Sequence, residues 1–329
     1  MGRHRLYTLA LEAQQAIRSW LERVRELVLN SSAKDFILLA LPYQISAVLT
    51  ALVAVGYTKL FQWAQRWNHG LIDERPLMVF VSVPIAFVAS WALVRFLSPM
   101  AGGSGIPQLM AAVEVARDKE TKDGSWRFLN VRIMLVKVAS TLAMALGGGS
   151  IGREGPTLQI AGSIYRTVHK LLPPFWPKVS RKVMMITGGA AGLSAAFNTP
   201  LGGIVFAIEE LTRTHIAKFR TAVLSSVILS GMTAQTILGP YLLLGYPKVA
   251  TVGPSFMYKL LVISIACGLI GALACKLILA LDKLRRNIKA WLPQMLFVLA
   301  LAFTFALLAW STGSHTLGGG DAILDHYLF

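Results

Sequence analysis

Runs of apolar residues alternate with short polar loops along this chain, and several reach the roughly 20 residues that a membrane-crossing helix needs. The first runs from Phe36 to Trp63 and continues towards Trp67; the second runs from Leu77 to Leu97. Val131 to Leu146 is a third, interrupted by Lys137, and residues 221–238, 257–281 and 292–310 give three more. Between them lie pieces too short or too Gly-rich to cross simply, at 105–116, 154–171, 183–197 and 200–211. Broken backbone inside a membrane is tolerated where protein or water satisfies it, and transporters build mid-membrane sites from half-length helices. The pattern predicts an all-α, polytopic membrane helix bundle with broken and half-length helices. Ahead of it, residues 1–34 mix charge with Leu and Ile at helical spacing. They read as a cytoplasmic amphipathic helix lying on lipid, or equally as an ordinary surface helix, and not as a cleavable signal peptide.

Composition agrees with the bundle. Of 329 residues, 55% are hydrophobic and 15% charged, against about 25% charged in a soluble domain. The net charge of +16 does not form the single patch or tail of a nucleic-acid binder; the cations sit in short loops, as the positive-inside rule expects. Arg117, Lys119, Lys122 and Arg127 occupy one loop, and Arg166, Lys170, Lys178, Arg181 and Lys182 another. With Arg3, Arg5, Arg18, Arg23, Arg25 and Lys34 ahead of the first span and Lys283, Arg285, Arg286 and Lys289 after a later one, these places read as cytoplasmic. The poorly cationic loops 68–76 and 239–255 then lie outside. The expectation is a multi-pass protein of the cell (inner) membrane with its N-terminus in the cytoplasm and Phe329 outside. Cys267 and Cys275 share one apolar stretch and the six histidines are scattered, which gives neither a disulfide framework nor a metal site. There is no nucleophile–base pair in the apolar core, so an enzyme is not expected, and no catalytic residue or cofactor is assigned.

Three Gly/Pro-rich segments carry the candidate chemistry. In Gly103-Ser104-Gly105-Ile106-Pro107-Gln108 a hydroxyl stands between two glycines and a proline opens the following helix. Such a start presents free N–H groups and partial positive charge to an anion, though by itself it reads as a capped helix start. Gly147 to Thr157 contains a literal GxGxxG at Gly147, Gly149 and Gly152. A membrane span precedes it where the dinucleotide motif needs a strand, so a second helix start is expected there, with Glu154 at the cap and Pro156 in the first turn. The Glu154 carboxylate is either a stabilising cap or the occupant of a place an anion could take. The run Gly188 to Glu210 is rich in small residues that let helices approach closely, breaks at Asn198-Thr199-Pro200, and ends on Glu209 and Glu210. These acids are solvated helix-end groups or a proton station.

GSGIP, GREGP and GLSAAFNTPLGGIVFAIEE, in that order and separated by suitable spans, resemble the CLC family of chloride channels and chloride/proton antiporters over roughly residues 35–320. The resemblance implies that Ser104, with Gly103, Gly105, Ile106 and Pro107 around it, coordinates chloride. It implies that Glu154 is the gate and outer proton site, released on protonation, with N–H groups around Arg153 and Gly155 holding whichever anion is present. Phe206 would line the pathway, Glu210 would be the inner proton site that marks antiporters, and Lys137 fits a family position as electrostatic support. Ser104 speaks against the fluoride branch. Gln108 replaces the acid usual after GSGIP, a change expected to affect anion binding little.

The family's second inverted half supplies a GxFxP helix start and a late tyrosine to the same site, and neither is found in these residues. The expected organisation is therefore a cytoplasmic helix at 1–34, a first membrane repeat at 35–236 and the start of an incomplete second repeat at 254–329. Residues 183–236 are expected to turn Gly and polar atoms towards the absent helices. The function implied is chloride/proton antiport in the complete fold, with chloride and protons as transported ions. A non-transporting fragment or assembly subunit and a passive voltage- or pH-gated chloride channel stay open as alternatives. Membrane lipid, a second copy in a homodimer and a polypeptide supplying the C-terminal helices are the partners implied; nucleic acid is not.

Overall fold

A computed structural model describes residues 33–116, 123–212, 221–239, 253, 255–313 and 315–320. The amphipathic helix expected within 1–34 lies outside the described residues, apart from Ala33 and Lys34. Among the described residues there are ten α-helices and no strand. In chain order they are α1 Ala33–Glu74, α2 Val79–Ala92, α3 Ile106–Val115, α4 Val131–Leu146 and α5 Glu154–Leu171, then α6 Arg181–Phe197, α7 Pro200–Phe206, α8 Thr221–Leu238, α9 Ser255–Asn287 and α10 Trp291–Ser311. Six helical stretches are long and apolar enough to cross a membrane: Ile37–Glu74, Pro76–Leu97, Gly124–Leu146, Thr221–Leu238, Phe256–Asn287 and Trp291–Ser311. They coincide with the six hydropathy spans, and the chain is a multi-pass membrane protein.

The first span is longer than its apolar run, 42 residues with Pro42 inside it. Proline has no N–H to return to the carbonyl four residues back. The freed Leu38 carbonyl instead accepts from the Trp176 indole at 2.9 Å, a contact that ties α1 to the loop before α6.

At the centre, α5 and α6 pack along each other, and α1, α3, α4 and α8 pack around them. From Pro156 to Arg166 every residue of α5 is buried, although the helix includes Gln159, Ser163 and Arg166. Its polarity is tolerable because protein, not lipid, surrounds it. Small residues let these helices close up: a Cβ on Gly192 would lie 2.7 Å from the Ala161 Cβ and 3.1 Å from the Thr157 carbonyl oxygen. Hydroxyls then cross-link the bundle. The Tyr165 hydroxyl meets Ser226 Oγ at 2.7 Å, Ser226 donates to the Tyr43 carbonyl at 2.8 Å, and Ser194 donates to the Val227 carbonyl at 2.9 Å.

This internal pairing corrects the expectation for the α6 part of 183–236. Nearly all of α6 is buried, and its glycines and serines serve contacts within the described bundle. The exposed positions of α7 and of the middle of α8 are apolar, Leu201, Val205, Ile228 and Met232, while Thr221, Gln235 and Thr236 are exposed at the two ends of α8.

The last two helices behave differently. Through Ala302, Ala306 and Ala309, α10 packs on Val79 and Val83 of α2, and Phe305 meets Phe87 with ring centres 5.7 Å apart. No described helix packs extensively on α9, whose side chains are exposed along nearly its whole length. Beyond α10 the chain turns back onto the glycine turn ahead of α5: Gly318 N–H donates to the Gly148 carbonyl at 2.9 Å, and Leu317 is buried.

Candidate anion-binding site

Helix starts leave N–H groups without intrahelical partners. Three starts here satisfy one of those groups with a side chain. Asn130 Oδ1 accepts from Ile133 N–H in α4, Ser180 Oγ from Val183 N–H in α6, and Thr199 Oγ1 from Gly202 N–H in α7. By contrast, α3 begins at Gly105 and α5 at Arg153 with no side-chain cap. The starts of α2 and α10 are uncapped as well; what sets α3 and α5 apart is that their starts meet.

The meeting is backbone against backbone. A Cβ on Gly155 would lie 2.5 Å from the Ser104 carbonyl oxygen, and a Cβ on Gly105 would lie 2.8 Å from the Gly155 carbonyl oxygen. Gly103 and Gly105 both hold positive φ, 72° and 105°, a conformation glycine adopts at little cost. The two turns therefore need glycine twice over, for φ and for space. Ser104, between them, is exposed, while Ile106 packs into the same core cluster as Phe206.

Behind this junction lies Lys137, fully buried in α4. Its ammonium donates to the carbonyls of Ala101 at 2.9 Å and Gly103 at 2.5 Å. A buried cation is thus spent on the loop that presents Ser104, where its charge also favours an anion. From α5, Gln159 Nε2 donates to the Met100 carbonyl at 3.0 Å and the Phe128 carbonyl at 3.2 Å. Gln108 Nε2 donates to the Gly102 carbonyl at 2.6 Å. Sequence reasoning missed Gln159 as a positioning residue; its signal was a lone amide in the otherwise apolar and small run Leu158 to Ala161.

Glu154 does not cap by hydrogen bond as expected. Arg153 is the capping residue, and Glu154 occupies the first helical position. Its carboxylate folds back over Gly152, where a Cβ would lie 2.6 Å from Oε2. Oε1 is 4.0 Å from Arg153 Nε, with the Glu154 side chain 36% exposed. The group sits at the positive end of α5 and makes no side-chain capping hydrogen bond there.

Phe206 closes α7, and the helix then widens into a π-turn at Ala207–Thr212 that exposes both Glu209 and Glu210. Such turns recur at functional sites. The structure thus brings Gly103, Ser104, Gly105, Gly155, Arg153, Glu154 and Lys137 together, with Ile106 and Phe206 packed on one shared core, and places Glu210 on a separate turn.

These features define a membrane protein in which the uncapped starts of two short helices meet, backed by a buried cation. The chain belongs to the voltage gated chloride channel family, whose pattern it matches over residues 85–328. It is 32% identical over 283 residues to the H(+)/Cl(-) exchange transporter ClcA of Salmonella arizonae, covering 83% of this chain and 57% of that protein. The ClcA of Salmonella schwarzengrund is likewise 32% identical over 279 residues, covering 81% and 56%. The chain therefore spans little more than half the length of these relatives. Among solved structures, a slow cyanobacterial Cl-/H+ antiporter superposes with a TM-score of 0.65 at 20% identity, covering 86% of this chain and 66% of that one. A CLC-type fluoride/proton antiporter gives 0.59 at 21% identity, covering 85% and 66%. At those identities the likeness is one of fold.

Proposed function

We propose that this chain carries one side of a chloride/proton exchange pathway in the inner membrane, with its N-terminus in the cytoplasm. The observation that supports this reading most is the junction of the Ser104 and Gly155 turns, where two uncapped helix starts meet; their free N–H groups are the donors proposed for the anion. Chloride would sit against Ser104 Oγ and those donors. The charged Glu154 carboxylate would compete for the same donors from the outer side and leave when protonated, so that anion passage and proton uptake alternate. Lys137 would add long-range attraction, Phe206 would line the route inward, and Glu210 would exchange protons with the cytoplasm. A passive channel is the weaker reading because it has no use for Glu210.

The junction as it stands is one-sided: Ser104 is exposed, and α9 has no extensive packing partner among the described helices. An anion lacking part of its donors at mid-membrane costs on the order of several kcal/mol, and each 1.4 kcal/mol is about tenfold in affinity. The remaining donors would come from further helices, carried by a longer form of this chain or by another polypeptide. A homodimer in lipid is the assembly the family resemblance supports, and residues 35–236 and 254–329 are read as a first repeat and the start of a second. The test is chloride efflux and coupled proton movement in vesicles, with residues 1–329 alone and co-expressed with the C-terminal helices of a relative. Flux is expected only in the combined protein, and Glu154→Gln there should keep some chloride movement and lose proton movement. Strong Glu154-dependent efflux from 1–329 alone would overturn the half-site reading; undiminished chloride-driven proton uptake in the variant would overturn the gate.

A further inference from the structure

Loop charge assigns one face of the bundle to the cytoplasm, and on that face lies an open cavity of about 1150 Å³ between the Gly124–Arg127 turn, the end of α5 and the start of α6. Its wall carries five cations and one carboxylate, a formal excess of four positive charges with His169 neutral. Cationic loops alone would only record topology. Here the charges converge, and the single acid is already committed: Asp123 Oδ2 accepts from Arg166 Nη2 at 2.6 Å, and Asp123 Oδ1 lies 3.8 Å from Arg181 Nη1. Arg127, Arg132 and Lys170 line the same cavity and have no carboxylate partner among the described residues.

Two further features point to the ligand. The cavity is roomier than a single phosphate needs and neighbours a second one of about 430 Å³ that shares His169 and Arg181 in its wall and adds Lys178. Trp126 stands on its rim, 55% exposed, the amphipathic ring that favours the headgroup level of a bilayer. Guanidinium groups match phosphate through two parallel N–H···O bonds to separate oxygens, a two-point geometry that a single spherical chloride does not offer. We propose that this cavity binds a phosphate-bearing anion, either a soluble oligophosphate or the headgroup of an anionic lipid, held by Arg127, Arg132 and Lys170. It is separate from the Ser104 junction, and its test does not depend on transport.

The experiment uses the purified chain in two arms. Labelled pyrophosphate is titrated against protein in detergent, and cardiolipin retention is counted by native mass spectrometry after release from nanodiscs of phosphatidylcholine with and without cardiolipin. Each arm compares the wild type with Arg127→Gln/Lys170→Gln and with Lys283→Gln/Lys289→Gln, which removes two exposed charges from the same face elsewhere. Loss of two headgroup-contacting cations should weaken binding about tenfold or more, with little change in the second variant. Selective loss in the pyrophosphate arm identifies a soluble ligand, and selective loss in the cardiolipin arm alone identifies the lipid. If neither ligand binds, or both variants lose it equally, the proposal is wrong.

Discussion

Gly155 lies so close to Ser104 that a Cβ at position 155 would fall 2.5 Å from the Ser104 carbonyl oxygen and 3.3 Å from the Ser104 Cβ. The neighbour is backbone, so it cannot yield by a rotamer change. Gly155→Ala should push the Ser104 turn away from α5. Overpacking of this kind costs about 1–3 kcal/mol, partly offset by the better helix propensity of alanine. The larger expected effect is on the site, at least a tenfold loss of chloride affinity by calorimetry in an assembled protein, roughly 1.4 kcal/mol. Gly268→Ala on α9, with nothing within 4 Å, should leave affinity unchanged. Equal affinity in both variants would mean the two turns need not touch.

Lys137 tests the support behind that junction. Lys137→Met keeps an unbranched side chain but removes the donor to the Ala101 and Gly103 carbonyls. Leaving a buried acceptor unsatisfied costs about 1–3 kcal/mol, so the melting temperature should fall, and chloride binding should weaken with the lost charge. If only stability falls and affinity stays, Lys137 holds the loop without assisting the anion.

How far the sequence reached follows from which forces act locally. The spans were legible because lipid imposes one length and one composition on each. The helix starts at Ser104 and Glu154 were legible because Gly and Pro mark them within a few residues. That the two starts touch was not legible from the residues themselves, since about fifty residues separate them and the contact depends on how α4 and α5 fold back; the family resemblance alone implied it. Gln159 stayed hidden because a lone amide in an apolar run shows no partner until Met100 and Phe128 arrive from elsewhere. Hydropathy also could not distinguish α9, exposed along nearly its whole length, from α8, buried on one side by α1 and α6, because lipid and neighbouring helices are equally apolar.

Asp123 gives a pH dependence outside the spans. Burial pushes its carboxyl up, but hydrogen bonds from Ser125 and Arg166 and the charges of Arg166 and Arg181 outweigh this and hold it below the ordinary 3.8. A carboxyl depressed in the folded state adds stability that is complete above its unfolded value and is lost as pH falls through the folded one. Asp123→Asn cannot ionise and leaves the buried Arg166 with Ser125 Oγ but no carboxylate partner, at a cost of about 1.5–3 kcal/mol near neutral pH. The gap in melting temperature between wild type and variant should therefore shrink on acidification below about pH 4. A gap that stays constant down to pH 3 would show that the charge on Asp123 is not what stabilises this corner.

The last prediction separates two neighbouring acids. Glu209 and Glu210 share the π-turn Ala207–Thr212 and are both exposed, so exposure does not tell them apart. Consecutive residues on any helical turn still project in different directions, and a wider turn changes the angle without removing it. If Glu210 is the inner proton station, Glu210→Gln in an assembled, transporting protein should leave chloride flux and abolish the proton movement coupled to it. Glu209→Gln should change neither. The solvated-acid reading predicts instead that both variants behave like wild type. Parallel chloride and pH recordings on the same vesicles decide between them, because the two readings agree on chloride and differ only in the proton trace. Loss of coupling in Glu209→Gln with coupling intact in Glu210→Gln would show that the π-turn presents the other carboxylate to the pathway.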